Sequence, residues 1–156
     1  CRSTSTKIRT QTMSRRPSRK RHQEILVRNV QVSGFRADVS VRAATPRGAE
    51  PENESTPWLE IRGTMNEPLR TTQDVEISVH PLESLQVGTA RPASVGAIVQ
   101  MRPHVSVVFA LTHAEFDRLW SLAFLGGLKH AHFTCTTPRF NKALVPSVSF
   151  PNEPIE

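Results

Sequence analysis

From residue 35 to 43 apolar and polar side chains alternate without a break, with Phe35, Ala37, Val39, Val41 and Ala43 set against Arg36, Asp38, Ser40 and Arg42. A period of two sends each set to its own face of an extended chain, so the segment predicts a strand with one dry and one wet side. The same period recurs along the chain. Before the Ser33-Gly34 break, Leu26, Val30 and Val32 share a face that Arg28 interrupts. Leu59 and Ile61 share a face within 58–64, as do Val75, Ile77 and Val79 within 74–80, where Pro81 ends the run. Val95, Ala97, Val99 and Met101 alternate, and Arg102-Pro103 then turns the chain into Val105, Val107, Phe109 and Leu111, which predicts a hairpin. Ala131, Phe133 and Cys135 form an inward set within 128–136. Leu144, Val148 and Phe150 form another within 143–150, where Pro146 marks an edge strand. Between these runs, 45–56 holds Pro46, Pro51, Gly48 and three glutamates and reads as an exposed acidic loop.

One segment follows a different period. Phe116, Leu119, Trp120, Ala123 and Phe124 recur at helical spacing. Thr112 and Glu115 are spaced for a capping box, Leu111 and Phe116 for a hydrophobic staple, and Gly126-Gly127 supplies a stop. The prediction is a helix over about 113–125. About eight short strands and a single helix predict a mainly β fold, an antiparallel β-sandwich or a partly open barrel, because parallel neighbours need long crossovers.

Charge is unevenly distributed. Residues 1–23 carry eight cations, Arg15, Arg16, Arg19, Lys20 and Arg21 among them, and no acid. The other twelve cations face all 14 acids, so a net charge of +6 resolves into a basic arm on a body of charge −2. Residues 1–23, with one isoleucine among Ser, Thr, Arg, Lys and Gln, have too little apolar surface to offset ordering entropy and predict a disordered arm. Residues 24–156 are expected to form a single β-rich globular domain.

No segment approaches the roughly 18–20 apolar residues of a membrane span, and the basic stretch is not followed by the apolar core of a secretory signal. The expected location is cytoplasmic. The first methionine is Met13, which leaves open a start there, a fragment, or a lipidated Cys1.

Candidate functional residues are few. The arm suits phosphate backbones or anionic surfaces, and lacking aromatics it predicts binding without sequence preference. Arg15-Arg16-Pro17-Ser18 also fits a basophilic kinase target, and Asn53-Glu54-Ser55 fits a glycosylation acceptor in a secreted setting. His130 and His132 form a His-x-His pair that a strand would present on one face, so they are candidate metal ligands, or members of a cryptic hydrolase site. They lack the compact four-ligand spacing of a structural zinc centre. Cys135 falls on the opposite face, as a small buried hydrophobe. His113, Glu115 and Asp117 read as helix residues, and no nucleophile elbow, phosphate loop or Cys-x-x-Cys is present.

Trp58 and Arg62 fall on the face opposite Leu59 and Ile61 and are candidate partner-binding residues. The expectation is therefore a non-catalytic interaction module with no assigned cofactor. It would bind a protein, or a second copy of itself, through a sheet face or an unpaired strand edge. Nucleic-acid or anionic-surface binding through the arm is the alternative.

Overall fold

The computed structural model describes residues 23–43, 53–82 and 94–155. The cationic residues of the expected arm, Ser18, and the acidic stretch 44–52 lie outside the described residues.

The described residues form one sheet of eight strands and one helix. In chain order these are β1 (Ile25–Ala43), β2 (Asn53–Leu69), β3 (Thr72–Pro81), β4 (Gly96–Gln100), β5 (Val105–Leu111), α1 (His113–Phe124), β6 (His130–Thr136), β7 (Ala143–Val145) and β8 (Ser147–Ser149). The sheet order is β7-β4-β5-β3-β2-β1-β6-β8. Its two outermost strands, β7 and β8, are consecutive in the chain and joined by Pro146 alone. One run of chain thus pairs first with β4 and then with β6, which rolls the sheet into a nearly closed barrel. The Leu144 N–H donates to Thr136 Oγ1 of β6 at 3.0 Å across the seam. All pairings are antiparallel except β3 with β5. That parallel pair departs from a purely antiparallel arrangement, because β4 returns to the outer edge of β5 instead of lying between them.

One core cluster fills the interior. Leu59, Ile61, Ile77, Val79, Val105, Val107, Phe109 and Phe133 are fully enclosed. The helix lies against β3 and β5 and contributes Phe116, Leu119 and Ala123. Thr112 caps it through the expected box, with Glu115 N–H donating to Thr112 Oγ1 at 3.2 Å and Thr112 N–H to the Glu115 carboxylate at 3.0 Å. After Leu125, Gly126 adopts φ +78°, the left-handed conformation that ends the helix. Phe124, expected within the apolar stripe, is instead 60% exposed at the helix end.

Bulges explain where the alternation misleads. Ser33-Gly34 does not break the chain into two strands. It is a bulge inside β1, where the pairing with β2 shifts between Val32 and Gly34. The extra residue moves the inward set from Leu26, Val30 and Val32 to Phe35, Ala37 and Val39 within one strand. A second shift between Ile98 and Gln100 makes Ile98 the buried residue of β4 and leaves Val99 exposed, contrary to the expected phase. In β7, Ala143 and Val145 are buried and Leu144, expected inside, faces out. Residues 53–56, expected in the loop, belong to β2.

Gly63 sits opposite the first bulge. A Cβ there would collide with the Gln31 carbonyl oxygen and crowd Val30 Cγ1 at 2.6 Å. Backbone cannot yield as a flexible side chain does, so Gly63→Ala is expected to destabilise the fold by about 1–3 kcal/mol. Denaturant titration would register this as a lower midpoint at unchanged slope.

Candidate functional site

On the outward face of the barrel, ionic groups form a row across neighbouring strands. Arg36 of β1 lies opposite Glu60 of β2, and Arg62 opposite Glu76 of β3. Glu60 is buried beneath these neighbours, with Arg36 Nη2 at 3.4 Å and Arg62 Nη2 at 2.7 Å from its carboxylate. Arg62 Nε is also 3.7 Å from Glu76, whose other neighbour is His104 at 3.8 Å. Trp58, two residues before Glu60 on the same face, is half-buried, and the Arg36 guanidinium carbon lies 4.9 Å from its ring centroid in cation–π geometry. Trp58 and Arg62 thus share a face as expected from their spacing. Within this row two arginines balance two glutamates, and the Arg36 and Arg62 side chains stay 66% and 62% exposed.

His130 and His132 also share a face, on β6, with Ala131, Phe133 and Cys135 pointing inward. His132 Nδ1 lies 2.6 Å from Asn29 Oδ1, and Asn29 Nδ2 donates to the Ile155 carbonyl at 2.8 Å. This chain of contacts ties the C-terminal segment to β1. Among the described residues no three His, Cys, Asp or Glu side chains gather where they could hold a metal ion. His113 and Asp117 are exposed on the first turns of α1, apart from both rows.

A different surface is left unfinished. β6 pairs with β1 only from Ile25 to Gln31, and the Val32 N–H donates to the Lys129 carbonyl at 2.9 Å as the last contact of that edge. From residue 33 to 43, β1 has β2 on one side and, among the described residues, no strand on the other. β3 pairs with β2 no further than Leu59. Residues 38–43 and 53–58 therefore form a two-stranded ribbon that runs past the barrel. Phe35, just before the ribbon, and Val39, within it, lie on the core-facing side of β1 and are 38% and 49% exposed although their alternation predicts burial. The helix covers only one end of them. Phe124 meets Phe35 edge-to-face at 5.4 Å and continues an aromatic row through Trp120 to the buried Phe116. Phe35 and Val39 are thus exposed apolar residues beside a strand edge that is open among the described residues, and Phe124, in contact with Phe35, is exposed as well.

Sequence reasoning missed this site because alternation reports which residues share a face and not whether anything covers that face. The available signal was length, since the alternating run 35–43 outlasts the strand patterns that would have to flank it. Comparisons with protein families, with curated proteins and with solved structures return no match.

Cys135 is buried in the core wall of β6, and burial pushes its thiol up from the ordinary range, with the Arg28 charge opposing. The folded state then holds the thiol proton more tightly than the unfolded chain. That contribution is complete below the ordinary thiol pKa and is lost as pH rises through the raised folded value. Alkylation followed by peptide mapping is expected to leave Cys135 unmodified in the native protein near neutral pH and to modify it fully once denaturant unfolds the barrel. Rapid native labelling would show that the thiol is accessible.

Proposed function

We propose that this chain is a protein-binding module that receives an extended segment of its partner as an added strand on the free edge of β1. The support is the coincidence of that edge, from residue 33 to 43, with the exposed apolar side chains of Phe35 and Val39. Open backbone N–H and C=O groups give such an edge its affinity, and pockets for alternate side chains give it selectivity. Trp58 stands on the other face of the same ribbon, opposite Asp38, so a bound strand would have contacts available on both faces. The ionic row from Arg36 to Glu76 holds β1, β2 and β3 in register beneath the docking edge.

Selection of displayed random peptides on the full chain tests this reading. Enriched peptides are expected to alternate apolar and polar residues, to slow hydrogen exchange within 33–43, and to bind at least about tenfold more weakly to Val39→Lys, which sets a charge on the apolar side of the edge. Peptides without alternation, or protection confined to another surface, would overturn it.

The arm supports a second reading. Eight cations without an acid in residues 1–23 would tether the body to nucleic acid or another polyanion by counterion release. Short random-sequence DNA and RNA are then expected to bind the full chain at low salt, to dissociate as salt rises, and not to bind a chain beginning at Glu24. Equal binding by both chains would remove the arm from the account.

A further inference from the structure

Resting on the strand-binding reading, we infer that the strand received by β1 is β1 of a second copy of the same chain, paired antiparallel about a two-fold axis at Ala37. The residues around Ala37 are complementary to themselves when reversed. With Ala37 opposite its own counterpart, Arg36 of each copy faces Asp38 of the other, and Phe35 of each faces Val39 of the other. Both Arg36–Asp38 contacts are opposite-charge pairs, and both Phe35–Val39 contacts are aromatic–β-branched pairs, the combinations that favour cross-strand neighbours. Ala37 is small enough for close approach at the axis.

The alternatives are worse on the same grounds. Centring the pairing on Arg36 or on Asp38 sets like charges directly opposite, which is destabilising. A one-residue slip turns the apolar set of one copy against the charged set of the other. The side chains are also free to take these partners. Asp38 is exposed and has no ion pair among the described residues, and the Arg36 side chain keeps 66% of its surface exposed despite its contacts with Glu60 and Trp58. Phe35 and Val39, exposed apolar residues of this edge of β1, are the ones the second copy would cover. The product is a continuous sheet running from β2 through both β1 strands to the second β2, with one shared apolar face. It is an isologous arrangement, and the two-fold dimer is the commonest form of closed assembly.

Sedimentation velocity of the full chain over a range of concentrations is the first measurement, and a monomer–dimer equilibrium is expected. Asp38→Arg sets two arginine pairs across the axis and is expected to raise the dimer dissociation constant at least about tenfold, with an unchanged far-ultraviolet circular dichroism spectrum as the check on folding. Ala37→Cys offers an independent readout. Residues directly opposite in an antiparallel pair have Cβ atoms about 4.5–5.5 Å apart, so mild oxidation should give a disulfide-linked dimer mapping to position 37.

A chain that stays monomeric overturns the inference, as does a dimer that is indifferent to Asp38→Arg and gives no cross-link at position 37. If the monomeric chain still takes alternating peptides on residues 33–43, only the identity of the partner falls. If it takes none, the strand-binding reading falls with it.

Discussion

Closure of the sheet at Pro146 is the constraint on which the rest of the molecule depends. Proline has no N–H to give to a ladder and cannot sit inside a strand paired on both sides. Here it stands where the chain leaves one neighbour for another, so that β7 completes the β4 edge and β8 the β6 edge. Without that exchange the two margins of an eight-stranded sheet would be open and the interior wet. With it, side chains from every long strand converge on one core cluster, and the helix needs to cover only the side against β3 and β5.

The same closure separates the parts of the fold that are complete from the part that is not. Each barrel strand has neighbours, and outward charges from Arg36 to Glu76 are matched across strands. β1 and β2 are longer than the barrel they help to build. Their bulge at Ser33 lets one strand serve two settings, since it restarts the alternation in the opposite phase where β1 leaves β6 and, among the described residues, continues beside β2 alone. Gly63 is the corresponding concession on β2, because the strands approach too closely there for any Cβ.

Much of this was legible in the sequence. Eight alternating runs marked the strand cores, and the Thr112–Glu115 box placed the helix start, because local hydrogen bonding and side-chain period are properties of neighbouring residues. Pro146 was legible as an edge but not as a closure, since which strands it joins is settled by long-range pairing. Ser33-Gly34 read as a break because a bulge and a turn use the same residue types. Val99 was assigned to the wrong face because one inserted residue shifts the phase, and Leu144 because the chain changes partner at Pro146, so β7 and β8 do not share one alternation. The spacing of Trp58 and Arg62 put them on one face, but the cations packed against Trp58 and Glu60 come from β1 and β2 together, and only the register brings them there.

The ribbon is where local pattern and global packing disagree. A two-stranded ribbon in water is marginal by itself, because two strands cannot bury enough apolar surface to offset the ordering of their backbones. α1 reaches Phe35 through Phe124, but Val39 lies about 13 Å further along an extended strand and is 49% exposed. An apolar set carried that far past its own core is better suited to a partner than to the monomer. The charges beside it narrow the choice, because Arg36 and Asp38 flank Ala37 with opposite signs, and a strand that reads this segment in reverse meets each charge with its complement. The sequence that supplies such a strand without further adjustment is this segment itself.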